Sequence, residues 1–360
     1  IETLNKLNIY TVESFAKTDP NIEIFNLNQD TRLRLQLQAK LQTHKAKTGK
    51  DKVELLPLME NKGFQRLPNP NNGDLFFDIE GDPLYPNGGL EYLFGISTFE
   101  GKTENFQSFW AHDHDQEQKT FKKFMSFIKT HLEKYPDAYI YHYNHYENTV
   151  LKRLACRYAV YEEDLDNLLR QSRLVDLYKV VRESIRTSQS GYSLKDLEIF
   201  YMEKRKGEVD TADMSILFYN QWRESQNATL LKEISEYNKI DCKSTYLLRE
   251  WLISLKPSNT SWFEYTNVKN TKINQGERKA WEIEYEETRN ALDQIKGENK
   301  GLAQEVSNLL EFHNREEKVE WWEAFDRQQK YTDELIDDLE CIGDLVSIGT
   351  PVPEKRSMLY

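Results

Sequence analysis

The chain has 360 residues, of which 38% are apolar and 12% aromatic, enough for two or three packed domains and too many for wholesale disorder. No run of about 18 apolar residues predicts a transmembrane helix, and the first residues lack the layout of a signal peptide. The net charge of −12 argues against a simple basic nucleic-acid binder. Three widely separated cysteines (Cys156, Cys242 and Cys341) favour a reducing, cytoplasmic compartment over a disulfide framework or a zinc site.

Residues 1–66 predict a segment of small helices. The stretch "IETLNKLNIYTVESFAKTDP" predicts two short helices with a turn near Asn8 and a cap at Thr11. The following "NQDTRLRLQLQAKLQTHKAKTGK" predicts a longer basic helix, since residues 31–52 carry seven Lys or Arg and one acid. Two interpretations fit this helix: a packing helix with a solvated basic face, or a surface that follows a nucleic-acid backbone.

Residues 67–253 alternate between strand and helix patterns. "LFFDI", "GGLEYLFGISTF" and "ENFQSFWA" predict three strands, and "EQKTFKKFMSFIKTHLEKY" predicts an amphipathic helix. "AYIYHY" and "RLVDLY" predict further strands on either side of the helix "ENTVLKRLACRYA". The order β-β-β-α-β-α-β-α predicts an α/β fold with a mixed sheet, closed by the long helix "TLLKEISEYNKIDCKSTYLLREWL".

Residues 254–360 are polar and acidic, with 22 acids against 14 bases. Their patterns predict helices, which favour a helical bundle or an arm that docks a partner.

Two acids lie within the first apolar strand, "DLFFDIEGDP". Asp78 and Glu80 are two residues apart, and alternate residues of a strand point to the same face. Buried like charges repel, so the pair needs a cation, and Mg²⁺ or Mn²⁺ prefers such oxygen ligands. An exposed strand end with solvated acids would also explain the pair.

Further carboxylates extend the metal interpretation. Glu147 follows the strand "AYIYHY", and Tyr237 and Asp241 are four apart on the long helix, so they share a face. Four carboxylates and a phenol can hold two metal ions about 4 Å apart, an arrangement that cleaves phosphodiesters.

This ordered set resembles the DEDD exonucleases of the ribonuclease H-like superfamily. Asp78-Ile79-Glu80 matches the first motif, Asn144 with Tyr146 and Glu147 the second, and Tyr237 with Asp241 the third motif of the Tyr subclass. Glu147 departs from the pattern, which usually has Asp there, and this departure puts full catalysis in doubt. The resemblance implies a five-stranded mixed sheet with flanking helices and a centre that holds two ions of Mg²⁺ or Mn²⁺.

Most of the chain is similar to a narrower group, the YprB-type ribonuclease H-like domain. The similarity rests on "LFFDIEGDPL", "YHYNHYENTVLKRL", "SGYSLKDLE" and "YNKIDCKSTYLLREWL". Such domains occur in RecB-like putative nuclease proteins, commonly fused to a superfamily 1 helicase. The resemblance therefore implies three parts: a helix-hairpin-helix-like segment (1–66), the exonuclease domain (67–253) and a linker (254–360) towards a helicase. We expect the chain to be a segment of such a longer protein.

The resemblance also implies roles for single residues. Asp78, Glu80, Glu147 and Asp241 would hold metal, and Tyr237 would orient the attacking water. We expect Asn144 and Tyr146 to meet the terminal nucleotide, and Lys195 and Arg186 to contact phosphates; ordinary surface bases are the alternative for the last two.

Three functional hypotheses follow. The first is a 3′–5′ exonuclease on single-stranded nucleic acid, with DNA favoured over RNA, acting beside a helicase. The second is a catalytically silent module that binds nucleic acid or docks a protein within a helicase machine. The third is a structure-dependent endonuclease that uses the same metal centre.

Overall fold

The computed structural model describes residues 2–25, 27–101, 103–203, 205, 211–265, 280–310, 312–329, 335 and 341. These residues divide into two compact units, Ile1–Ile273 and Asn274–Tyr360. The expected linker, residues 254–360, is thus described in part: residues 266–279, 311, 330–334, 336–340 and 342–360 lie outside the described residues.

The helices and strands have the following bounds. The strands are β1 (Val53–Leu55), β2 (Leu75–Asp82), β3 (Leu90–Glu100), β4 (Thr103–Trp110), β5 (Ile140–His142), β6 (Leu174–Asp176) and β7 (Ile185–Thr187). The helices of the first unit are α1 (Glu2–Lys6), α2 (Val12–Ala16), α3 (Gln29–Thr48), α4 (His114–Lys134), α5 (Tyr146–Tyr158), α6 (Glu162–Arg170), α7 (Leu177–Ser184), α8 (Leu194–Glu198), α9 (Ala212–Ser225) and α10 (Ala228–Leu255). Those of the second unit are α11 (Ala280–Asp293), α12 (Lys300–Leu309) and α13 (Phe312–Gln329).

The central sheet has five strands in the order β4-β3-β2-β5-β6. β2, β3 and β4 form an antiparallel meander, whereas β5 pairs parallel with both β2 and β6. The parallel pairings need helical crossovers, which α4 provides before β5 and α5 with α6 before β6. The predicted mixed five-stranded sheet with flanking helices is confirmed.

Alternate residues of β2 enter the two opposite layers of the fold. Phe76 contacts Tyr246 of α10 at 5.2 Å between ring centroids, whereas Phe77 contacts Phe124 of α4 at 5.8 Å. Both phenylalanines are buried. β2 is therefore covered on both faces, which explains why its sequence is continuously apolar apart from the acids. Asp78 and Glu80 follow Phe76 by even steps and share the α10 side.

Helix α10 lies very close to the sheet at Gly95 of β3. Gly95 pairs with Asp78 of β2, and Asn238 of α10 lies over this pair. A β-carbon at Gly95 would be 1.6 Å from Asn238 Oδ1 and 2.9 Å from Phe106 Cε2. Only glycine leaves room for the amide, which is fully buried.

A buried ion pair holds the other end of α10. Arg249 Nη1 donates to Asp74 Oδ2 at 2.8 Å, and both residues are buried. Asp74 also accepts from the backbone N–H groups of Asn71 and Tyr139, each at 2.9 Å. The carboxylate thus ties α10 to the loops before β2 and β5, and its hydrogen bonds offset the cost of burying the charges.

The N-terminal helices contact the rest of the first unit. β1 pairs antiparallel with β7, and Gln38 Nε2 of α3 donates to the carbonyl oxygen of Thr187 at 2.8 Å. Lys45 Nζ reaches Gln189 Oε1 at 2.8 Å and Asp51 at 2.9 Å. Part of the basic charge of α3 is therefore neutralised locally.

The second unit is helical in its described residues, in which Ala303 and Trp322 are buried. Among the residues that the structure describes, no helix combines the length and apolar character needed to cross a membrane.

We predict that Gly95→Ala lowers the free energy of unfolding by about 1–3 kcal/mol, because the new methyl group overpacks against Asn238. Urea denaturation followed by tryptophan fluorescence measures this. In an Asn238→Ala background the same substitution should cost less, since the amide is gone. If Gly95→Ala lowers the free energy of unfolding equally in both backgrounds, the contact with Asn238 is not what excludes a side chain at residue 95.

Candidate metal and nucleic-acid site

The site begins where β2 ends. The pairing of β2 with β3 changes register between Glu80 and Gly81, so an irregularity interrupts the ladder directly after the second acid. Such irregularities redirect side chains at strand ends. Asp78 is half-buried and Glu80 is buried. Solvated acids at an exposed strand end, the alternative considered from sequence, do not describe this pair.

Helix α10 brings the third carboxylate to this strand end. Ligand oxygens of Asp78, Glu80 and Asp241 all lie within 4.8 Å of one another. Asn238, three residues before Asp241, donates through Nδ2 to Asp78 Oδ2 at 2.8 Å. One face of α10 therefore supplies an acid and also orients an acid of the strand.

Burial raises the pKa of all three carboxyl groups. The pKa of Asp78 is raised well above its ordinary range by burial and then by the charges of Asp241 and Glu80. The pKa of Glu80 rises from 4.5 to about 8, despite hydrogen bonds from Ser215 and Asn238. Burial also raises the pKa of Asp241, although Arg205 opposes the rise. Burial and mutual repulsion therefore outweigh the positive charge of Arg205 beside the cluster.

The donor set fits a divalent cation. Three clustered carboxylates offer hard oxygen ligands of the kind that Mg²⁺ and Mn²⁺ prefer. A cation at this position would offset the repulsion that raises the pKa values. The triad of Asp78, Glu80 and Asp241 could therefore bind metal.

Glu147 lies at the start of α5 and is not a member of the triad. Its Oε2 is 3.6 Å from His142 Nδ1, and this oxygen is buried without a hydrogen-bond partner among the described residues. Its negative charge nevertheless contributes to the raised pKa of Asp78. Glu147 is thus near the triad and has an oxygen available, so its role as a ligand stays a prediction.

Tyr237 lies beside the triad with two cations near its ring. The ring centroid is 4.9 Å from Lys195 Nζ and 5.6 Å from the guanidinium carbon of Arg205. Burial and the nearby acids, Asp241 first, raise its pKa, so its hydroxyl stays protonated. Lys195 opposes the rise in pKa of Glu80 and Asp241, so its charge acts on the triad.

The predicted nucleotide contacts at residues 144 and 146 have local roles as well. Asn144 has φ of +76°, a conformation that Asn tolerates better than most residues, and its Oδ1 accepts from the His145 N–H at 2.9 Å. Tyr146 is 42% exposed, and its hydroxyl donates to Glu91 Oε2 at 2.8 Å. The hydroxyl is thus fixed, while much of the ring remains accessible.

Arg186 belongs to a basic cluster around Tyr192. Burial raises the pKa of Tyr192, and the positive charges of Arg186, Arg182 and Arg34 oppose that rise. The guanidinium carbon of Arg182 is 5.6 Å from the Tyr192 ring centroid. Two segments distant in sequence, at residue 34 and at residues 182–186, therefore bring positive charge to one aromatic side chain.

The sequence motifs do not include the polar residues that support the triad: Glu198, Arg205, Ser215 and Asn238. Arg205 Nη2 donates to Asp241 Oδ1 at 2.5 Å, and Arg205 Nε donates to Glu198 at 2.8 Å. Arg205 lies outside the helices and strands, and no sequence motif around it indicates a functional role. Asn238 carried a signal, because it lies between Tyr237 and Asp241 on the same helix.

We predict that the metal-free protein becomes less stable as pH rises from about 4.5 to about 8. Folded Glu80 keeps its proton until about pH 8, whereas an unfolded glutamate loses it near 4.5, so the folded state binds more protons across this window. Urea denaturation in EDTA at several pH values measures the slope. Glu80→Gln should reduce it, and Mn²⁺ should stabilise the wild type most at the high-pH end.

The exposed Glu133 of α4 provides the matched control. Glu133→Gln should leave the slope unchanged, and an unchanged slope in Glu80→Gln would contradict the prediction.

Comparison with known proteins agrees with the fold. Residues 75–253 match the family model RNase_H_2, described as the RNase_H superfamily. Searches of curated proteins and of solved structures found no match. The match spans β2 to α10, the elements that carry the triad. Residues 75–253 are therefore similar to the ribonuclease H superfamily, and their mixed five-stranded sheet is consistent with a ribonuclease H-like fold.

Proposed function

We propose that the protein is a metal-dependent 3′–5′ exonuclease that hydrolyses phosphodiester bonds of single-stranded nucleic acid, DNA in preference to RNA. The observation that carries the proposal is the convergence of Asp78, Glu80 and Asp241 within 4.8 Å inside a ribonuclease H-like domain. We assign it to the Tyr subclass of the DEDD exonucleases and to the YprB-type group. Its partners would be the RecB-like and helicase parts of a longer protein.

The carboxylates would hold two Mg²⁺ or Mn²⁺ ions, which supply an activated water and stabilise the leaving oxygen. Asp78, Glu80, Asp241 and Glu147 are the proposed ligands. Glu147 is one methylene longer than the Asp usual at that position, and its buried Oε2 is without a hydrogen-bond partner among the described residues. A ligand role would satisfy that oxygen.

Tyr237 would orient the attacking water. Because its pKa is raised, the hydroxyl is protonated at neutral pH and cannot serve as the base. It can still accept a hydrogen bond from water and donate one to a phosphate oxygen. Lys195, 4.9 Å from its ring, would contact the phosphate beside it.

Tyr146 and Asn144 would receive the 3′-terminal nucleotide. The hydrogen bond from the Tyr146 hydroxyl to Glu91 fixes the ring next to the end of β2, since a β-carbon at Gly81 would be 2.7 Å from that hydroxyl. A fixed, partly exposed ring is suited to base stacking, which every base permits. The proposed preference is therefore for single strands without sequence selection.

The basic cluster around Tyr192 would follow the backbone upstream of the cleaved bond. Arginine charges beside an aromatic ring are typical of single-strand binding surfaces. This local charge supports nucleic-acid binding in a chain whose net charge is −12, since much of the acidity lies in residues 254–360.

A silent binding module is the second candidate. Glu147 Oε2 lies 3.6 Å from His142 Nδ1, and Asp241 already pairs with Arg205, so two of the four proposed ligands face a basic side chain. These contacts would weaken metal binding relative to four unpaired acids. Cleavage assays separate the two candidates.

We predict that the wild type, with Mn²⁺ or Mg²⁺, shortens 5′-labelled single-stranded DNA into a ladder from the 3′ end. Asp78→Asn and Glu80→Gln should each reduce the rate at least about 100-fold, because the centre loses several kcal/mol of charge stabilisation. The matched control is Glu133→Gln, an exposed acid on α4, which should cut like the wild type.

Circular single-stranded DNA tests the alternatives in the same assay. Cutting of circles would indicate an endonuclease instead. A wild type that neither cuts nor binds Mn²⁺ by calorimetry would leave the silent module as the function.

We predict that Arg182→Gln and Arg186→Gln each weaken single-strand binding and reduce the slope of log K against log salt by about 1 or less, because each removes one phosphate contact. Fluorescence anisotropy in EDTA, where cleavage does not occur, measures this. Lys129→Gln is the matched control, since Lys129 pairs with Asp164 in another part of the domain. If the wild type and all variants have equal slopes of log K against log salt, the proposed contact between the basic cluster and the nucleic-acid backbone is refuted.

A further inference from the structure

Arg205 lies at the edge of the carboxylate triad and is held there by two ion pairs. Its side chain is 11% exposed and pairs with both Glu198 and Asp241. Nε is within 3.0 Å of both Glu198 oxygens, and Nη2 is 2.5 Å from Asp241 Oδ1. These contacts fix the plane of the guanidinium relative to a proposed metal ligand.

Glu198 is itself anchored to α10. Ser244 Oγ donates to Glu198 Oε1 at 2.8 Å and lies 3.0 Å from the hydroxyl of Tyr201. Ser244 is three residues after Asp241, so one helix supports both acids that hold Arg205. The position of the guanidinium of Arg205 therefore depends on how α8, which carries Glu198, packs against α10, which carries Asp241 and Ser244.

One end of this guanidinium has no acceptor. Arg205 Nη1 is buried and has no hydrogen-bond partner among the residues that the structure describes. Leaving such a donor unsatisfied costs free energy, and the cost is larger for a charged group. A purely structural arginine would be expected to use Nη1 as well, since Arg offers five donors in a planar fork.

The neighbourhood indicates which acceptor would satisfy Nη1. The guanidinium carbon is 5.6 Å from the ring of Tyr237, the proposed water-orienting residue, and Nη2 is bonded to Asp241. A phosphodiester placed at the triad would bring anionic oxygens to this region. Arginine pairs with phosphate more strongly than with neutral acceptors, because both partners are charged.

We infer that Arg205 is a catalytic residue that donates through Nη1 to a non-bridging oxygen of the scissile phosphodiester. This inference rests on the proposed function and adds a protein cation to its centre. Arg205 cannot act as a general acid, since an arginine keeps its proton at any working pH. Its contribution would be a donor, held by Glu198, for the charge that grows on the phosphate oxygens during phosphoryl transfer.

The competing explanation is that Arg205 only neutralises Asp241 while no metal is bound. Both explanations predict tighter Mn²⁺ binding when the arginine is removed. The two explanations predict different cleavage rates once metal saturates the site. If Arg205 only neutralises Asp241, bound metal replaces it and its removal leaves the rate unchanged. If Arg205 contacts the phosphate, its removal lowers the rate even at saturating metal.

The test is the single-turnover cleavage rate of 3′-ended single-stranded DNA at saturating Mn²⁺, with protein in excess. Calorimetry with Mn²⁺ alone establishes saturation for each variant. We expect Arg205→Gln to reduce the rate by about 100-fold, the typical cost of losing one fixed donor. Arg205→Lys, which keeps the charge but loses the fork, should also fall below the wild type.

Arg170→Gln is the matched control, because Arg170 also pairs with an acid, Asp166, but lies on the exposed surface of α6. It should cleave like the wild type. A wild-type rate for Arg205→Gln at saturating Mn²⁺, with tightened metal binding, would overturn the assignment and leave the proposed exonuclease intact. Absence of cleavage by the wild type would overturn the proposed function and this assignment with it.

Discussion

The close approach of α10 to the paired strands β2 and β3 is the contact on which the site depends. Gly95 has no side chain, so Asn238 can lie against β3 and donate to Asp78 of β2. The same helix then carries Tyr237 one residue earlier and Asp241 three residues later. The distance between the acids of the strand and the acid of the helix is therefore set by packing at a glycine.

This packing concentrates negative charge where the domain is least able to solvate it. Asp78, Glu80 and Asp241 are mutually repulsive, and burial raises the pKa of each. Elsewhere in the fold a buried acid has a matched partner, as Asp74 has Arg249. One arginine thus balances the single acid Asp74, whereas one arginine, Arg205, faces three clustered acids, and such an excess of buried acid is typical of a functional site.

Much of the fold could be predicted from the sequence, because local patterns fix local structure. The strand predicted from the apolar run, β2, and the amphipathic helix predicted from the spacing of phenylalanines, α4, are both present in the structure. The short pair of β1 and β7 could not be predicted, since three-residue strands leave no periodic signal and are held by long-range pairing. The supporting roles of Glu198 and Arg205 could not be predicted either, because their contacts with Ser244 and Asp241 join residues far apart in the sequence.

The sequence by itself determined the mixed α/β sheet and the positions of two acids on one strand and of Tyr237 and Asp241 on one helix, because periods of 2 and 3.6 residues place side chains on common faces. Only the tertiary structure decided which acids meet. It brought Asp241 to Asp78 and Glu80, placed Glu147 against His142, and set Arg205 at the edge of the triad. Apart from the contact between Glu147 and His142, these contacts join segments far apart in the chain, and their distances follow from the packing of α10 and α8 on the sheet rather than from any local pattern.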